Sequence, residues 1–119
     1  MEMRVRYREL FCENMEYELL CESYDRARLD ELLALLVDTV CTRRKQLHIA
    51  GGEVPADTVR SRLLTLNDAH IAYVLDCLDA NTTRIRNIKA YLLAALYNAP
   101  MTMDSYYRAA VNHDMNRRE

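Results

Sequence analysis

The chain has 119 residues, a length that suits one domain whose core needs no disulfide or metal staple. Half of the residues are apolar and 29% are charged, which excludes a disordered chain, and only two glycines and two prolines argue against a many-turned β fold. The net charge of −2 is uneven: residues 1–38 hold five arginines against ten acids (−5), and residues 39–119 hold eleven Lys and Arg against eight acids (+3), a small excess for a dedicated duplex-DNA binder.

Helical periodicity begins at once. Tyr7, Leu10 and Phe11 predict a short helix over residues 5–11. Asn14 is a candidate cap for a second short helix with the stripe Tyr17, Leu20, Cys21 and Tyr24. The clearest pattern is Leu29, Leu32, Leu33, Leu36, Val37 and Val40, one helical face over four turns within residues 25–42. Asp25 is the expected N-cap there. Arg43, Arg44 and Lys45 follow the helix, where cations complement the dipole; the other role open to them is phosphate contact.

The period then changes to two around the only glycines. Residues 47–54 predict a β-hairpin turning at Gly51-Gly52. Pro55 suits the first turn of a helix over residues 56–64. A new start signal at Thr65-Leu66-Asn67-Asp68 precedes the stripe Ile71, Val74, Leu75 and Leu78. Asn81-Thr82-Thr83 ends that helix and caps the next, over residues 84–98. This one carries two stripes. Ile85, Ile88, Leu92, Ala95, Leu96 and Ala99 form the first; Ala90, Leu93, Ala94 and Tyr97 form the second. A helix apolar on two sides lies centrally in a bundle or at an interface. Pro100 is expected to end it, and Thr102 to cap a last helix with Met103, Tyr106, Tyr107, Ala110 and Val111 on one face. Residues 112–119 are polar and expected to fray. The fold class is all-α: a compact bundle of about six helices with one small β-hairpin near residues 47–54, forming a single domain over residues 1–119.

No enzyme chemistry emerges. His48, His70 and His113 have no histidine or cysteine three or four residues away, so no helix face offers two metal ligands. Ser23, Ser61 and Ser105 lie outside any nucleophile motif. Both glycines belong to one turn, which leaves none for a phosphate loop. Asp76 and Asp79, at i and i+3, form a solvated face. Cys12, Cys21, Cys41 and Cys77 show no CxxC spacing and read as small core or half-buried residues in a reducing setting. The start, MEMRVRYREL, lacks a signal-peptide run, and no apolar run reaches membrane-span length. The expected location is the cytoplasm, with no membrane contact, no metal, no cofactor and no catalytic residue.

Two binding surfaces follow. A partner-protein surface would use the second stripe, Ala90, Leu93, Ala94 and Tyr97, with Arg86 at its edge. A nucleic-acid surface would use Arg43, Arg44, Lys45, Arg84, Arg86 and Lys89 with Tyr91, since arginine and exposed tyrosine together hold phosphates and bases. A homodimer is compatible with these stripes.

The run Ile85-Arg86-Asn87-Ile88-Lys89-Ala90-Tyr91-Leu92-Leu93-Ala94-Ala95-Leu96-Tyr97-Asn98-Ala99-Pro100 resembles the C-terminal domain of replication initiator A proteins from plasmids and integrative conjugative elements of Gram-positive bacteria. Asp104-Ser105-Tyr106-Tyr107-Arg108-Ala109, Asn14-Met15-Glu16-Tyr17 and Ile71-Ala72-Tyr73-Val74-Leu75-Asp76-Cys77-Leu78 fit the same domain. The resemblance implies a DnaD-like helical domain that recruits host replication proteins, primase or helicase-loading factors. Those initiators bind origin DNA through a separate N-terminal winged-helix domain, so the chain is expected to be a C-terminal piece or a stand-alone version. DnaD-type domains end in a Tyr-x-x-x-Ile-x-x-x-Trp helix; Tyr91 matches its first position, while Ala95 and Ala99 replace the other two.

Overall fold

A computed structural model describes residues 2–80 and 85–117, with side chains through Met103 apart from those at 81–84. The described elements run α1 (Glu2–Asn14), α2 (Tyr17–Leu20), α3 (Arg26–Val40), β1 (Gln46–Ile49), β2 (Gly52–Pro55), α4 (Ala56–Leu63), α5 (Asp68–Ala80) and α6 (Ile88–Arg117). The all-α bundle with one hairpin is therefore the fold.

α3 is its axis. All six residues of the predicted stripe are buried, with Leu29, Leu33 and Leu36 wholly inaccessible. Asp25 occupies the N-cap position, but only its backbone works: the carbonyl accepts Leu29 N–H at 3.0 Å, and the side chain makes no capping bond. The helix stops at Val40, two residues early. Its end is served by a cation from elsewhere, because Arg60 Nε of α4 donates to the Val40 carbonyl at 3.1 Å. The helix-end role expected of Arg43, Arg44 and Lys45 thus belongs to Arg60, and the triplet sits exposed in the connector to β1.

α1 lies along α3, starts earlier than expected, and buries Phe11 alone. Asn14 does not cap α2. It ends α1, and its Nδ2 donates to the Leu64 carbonyl at 3.1 Å. Glu16 makes the corner instead, at φ 50°. A left-handed residue costs roughly 1–2 kcal/mol, which burial of Met15 at this corner offsets. Tyr17 donates to Asp30 and Tyr24 donates to Asp76 (2.8 Å), so α2 and the turn after it are strapped to α3 and α5. The bond to Asp30 holds the Tyr17 phenol up at about 12.

The hairpin is present with its turn one residue earlier than predicted. Ile49 pairs with Gly52, which leaves Ala50 and Gly51 as the central residues, at φ 53° and 83°. Positive φ at both is the type I′ geometry that matches strand twist. This register puts Leu47, Ile49 and Val54 against the core, and sets His48 opposite Glu53. Ala56 N–H donates to the Lys45 carbonyl at 2.8 Å and closes the open end. Pro55 sits at the N-cap of α4 rather than inside its first turn.

α5 opens on a reciprocal cap. His70 N–H donates to Asn67 Oδ1 (3.0 Å), and Asn67 N–H donates to His70 Nδ1 (3.1 Å). This is a capping box with histidine in the place of Glu or Gln. Nδ1 can accept only while unprotonated. Burial, partly opposed by Asp68, pushes the His70 imidazole below its ordinary value of 6.5. The folded state therefore binds this proton less readily than the unfolded chain. The stabilisation is full above pH 6.5 and is lost as pH falls through the lower folded value. Urea titrations across this window should show that loss in the natural chain and not in His70→Gln, whose amide preserves the cap. An equal loss in both would remove His70 as its cause.

α6 departs most from expectation. It begins at Ile88, with Asn87 as its cap: Asn87 Oδ1 accepts Ala90 N–H at 3.1 Å. Ile85 lies ahead of the helix, and the Asn81-Thr82-Thr83 cap and Arg84 lie outside the described residues. The helix does not stop at Pro100. It runs through Pro100 and Thr102 to Arg117, so the expected last helix is its continuation and residues 112–117 are drawn into its final turns. A proline inside a helix removes one hydrogen bond, here to the Leu96 carbonyl, and kinks a helix without having to end it. Leu96 and Ala99, both wholly buried, anchor the turn concerned. Tyr106, Tyr107, Ala110 and Val111 lie outside the described side chains. At 1.5 Å per residue, thirty residues span about 45 Å, so α6 follows the long axis of a molecule measuring 57 × 35 × 28 Å.

Candidate interaction surface

Two ends of the bundle must be distinguished. At one end, Arg28 pairs with Asp79, and a small notch is lined by Arg28, Glu31 and Leu32 of α3 with Ile88 and Leu92 of α6. The first turns of α3 and α6 therefore lie side by side, with the last turn of α5. At the other end, Arg60 meets the last turn of α3, and Arg62 of α4 meets Tyr97 and Met101 of α6. The ends are separated by the length of α3, about 22 Å for fifteen residues.

The partner stripe divides along this axis. Arg86 and Ala90 are exposed at the α3–α6 start, and Lys89 and Ile88 are exposed beside them. Ile88 was expected in the core, yet it is 52% exposed at the notch it lines with α3 and α5. Leu93, Ala94 and Tyr97 are half-buried and pack against the core. So the stripe is open at its first turn and built into the fold further on.

The nucleic-acid set is not one patch. Arg86 and Lys89 lie at the start of α6, while Arg43, Arg44 and Lys45 lie past the far end of α3. Arg84 lies outside the described residues. Tyr91 is half-buried. The connector triplet has no ion pair among the described residues.

Sequence reasoning passed over Arg62. The outer face of α4, Thr58, Ser61 and Arg62, with Thr65 in the turn after it, meets Pro100 and Met101 across an open hollow of about 570 Å³. The Arg62 guanidinium stacks 4.4 Å from the centre of the Tyr97 ring, and one of its terminal nitrogens lies 3.4 Å from Met101 Sδ. The signal in the sequence was faint: an arginine on the polar face of a short helix, and a Pro-Met pair thirty-eight residues downstream of it.

For chemistry of other kinds the described residues offer little. No group of three His, Cys, Asp or Glu converges on a common point among them. All four cysteines are free and half-buried, and burial pushes the Cys12 thiol up, away from the thiolate a nucleophile needs. No helix among the described residues is long and apolar enough to cross a membrane.

Fold and surface together define a small helical-bundle domain whose distinctive chemistry lies on its outside. The chain belongs to DUF6017, a family of unknown function, whose model matches residues 2–118. No curated protein and no solved structure matches it.

Proposed function

We propose that this protein is a non-catalytic interaction domain of a mobile-element DNA replication initiator, acting in the cytoplasm to recruit host replication proteins such as primase or helicase-loading factors. The reading rests on the resemblance of residues 85–115 to replication initiator A proteins, and one structural observation supports it. α6 is the longest described element, yet its first turn leaves Ile88, Lys89 and Ala90 in solvent, with Arg86 exposed just ahead of it, beside a packed apolar continuation. Exposed apolar residues contiguous with a rigid helix are what an interface core requires.

Arg86→Glu combined with Ala90→Glu should cut capture of purified host primase and helicase loader by at least about tenfold, about 1.4 kcal/mol. Both residues are exposed, so the melting temperature should stay within about 2 °C. Undiminished capture by the double variant would move the interface elsewhere, and no capture by the natural chain would end the recruitment reading.

A nucleic-acid-binding accessory role has one observation in its favour, the triplet Arg43, Arg44 and Lys45, exposed and without an ion pair among the described residues. Three phosphate contacts would give a log–log salt dependence of about −2.7 for duplex DNA. Anisotropy titration of labelled DNA measures that slope, and absence of binding at low salt eliminates the role.

A further inference from the structure

We propose that the hollow between α4 and α6 is a docking site for an acidic amphipathic segment of a partner protein, with an apolar side chain seated on Pro100 and Met101 and a carboxylate received by Arg62. The proposal rests on the interaction-domain reading and gives that reading a second contact surface with a defined partner chemistry.

Arg62 carries the argument. Its side chain is half-buried and held on both sides, by the Tyr97 ring at 4.4 Å and by Met101 Sδ at 3.4 Å. Neither contact supplies negative charge. Arg62 has no ion pair among the described residues, and the acid at the rim, Asp57, is engaged by Arg60 at 2.7 Å. A guanidinium stacked on an aromatic ring has lost most of its rotamer freedom already, so a carboxylate binding it meets a smaller entropic cost. Beyond the Arg60–Asp57 pair, further positive charge lies at this end of the bundle. Lys45 joins the first residue of α4 through its backbone, and Arg43, Arg44 and Lys45 are exposed at this end. A second acidic residue on the same segment would meet them.

The apolar part comes from α6. Met101 is 59% exposed, the highest value among the large apolar side chains of the described residues, and Pro100 lies beside it. Methionine is unbranched and polarisable, which suits it to adaptable binding surfaces. Thr58, Ser61 and Thr65 add hydroxyls along the α4 wall. The mixture of an apolar floor, a polar wall and one preset cation matches an amphipathic peptide. It fits nucleic acid less well, because the Tyr97 face that a base would stack on is covered by Arg62.

The test uses the full chain with 13C-methyl methionine and 15N amide labels. A synthetic helical peptide of leucine, alanine and glutamate is titrated in, then its counterpart with lysine for glutamate, then a single-stranded oligonucleotide. The expected result is saturable shifts of the Met101 methyl and the Thr58, Ser61 and Thr65 amides with the glutamate peptide alone. Arg62→Gln should weaken that binding by about tenfold or more. Met101→Glu, at an exposed position that leaves folding intact, should do the same with an unchanged melting temperature. Equal shifts with the lysine peptide, tighter binding of the oligonucleotide at these resonances, shifts that appear on concentrating the protein alone, or no shifts at millimolar peptide would each overturn the proposal. Its failure is separable from that of the recruitment reading. Replication-protein capture that survives both variants but is lost in Arg86→Glu/Ala90→Glu overturns the hollow alone. Peptide binding here without any capture of replication proteins overturns the recruitment reading alone.

Discussion

Replacing Leu33 with alanine is expected to destabilise the protein by about 3–4 kcal/mol, a large share of the 5–15 kcal/mol typical of a domain. Leu33 is wholly inaccessible on α3, the helix that α1, α4 and α6 all touch. Removing three carbons there leaves a cavity in the packed core, where the surrounding structure relaxes only in part. The melting temperature should fall by roughly 10–15 °C. Met3→Ala is the matched control: Met3 is 55% exposed, and its loss should stay within about 0.5 kcal/mol. Circular-dichroism melts of the two variants decide the matter. A Leu33→Ala cost below about 1 kcal/mol would mean that α3 is not the axis of the fold.

Replacing Pro100 with alanine is expected to act in the opposite direction and stabilise the chain by about 2 kcal/mol. A proline in a helix interior is about 3 kcal/mol worse than alanine, and part of that is returned because proline also restricts the unfolded chain, by up to about 1 kcal/mol. The alanine N–H would restore the bond to the Leu96 carbonyl inside α6. Equilibrium denaturation measures the gain. A loss of stability instead would show that contacts of the half-buried proline ring outweigh the missing bond. The same substitution keeps Met101 in place, so it also asks whether the hollow beside α4 needs the proline ring or only the methionine.

These two positions show what could be read from the sequence and what could not. The Leu29-to-Val40 stripe was legible because a one-sided period of 3.6 over four turns has no competing explanation. Pro100 misled because local rules make proline a terminator, while the burial of Leu96 and Ala99 is a tertiary fact that keeps the helix going. The hairpin was legible from its glycines, but the turn moved by one because Ala50 accepts a left-handed conformation. No propensity favours alanine there; the register is chosen by the need to bury Ile49. Ile88 has the spacing of a core residue, yet it sits half in solvent at the notch it lines with α3 and α5, a tertiary fact that spacing does not carry. The Arg62–Tyr97 stack joins positions thirty-five residues apart, beyond the reach of any periodicity. Arg60 at the end of α3 is a similar case, since the cation the dipole calls for came from a different helix than the adjacent basic triplet.

α1 buries only Phe11, worth about 1.5–3 kcal/mol. Its other ties among the described residues include the half-buried Tyr7 and Cys12, the Arg4–Asp38 pair at the surface, and the Asn14 bond to Leu64. Such a helix can detach while the rest of the bundle stays folded. Amide exchange in α1 is then expected to follow a sub-global opening, and amides at the centre of α3 to exchange only on global unfolding. In such an opened form Val37, 5% exposed while α1 is docked, would join the already exposed Ala34 on a bare flank of α3.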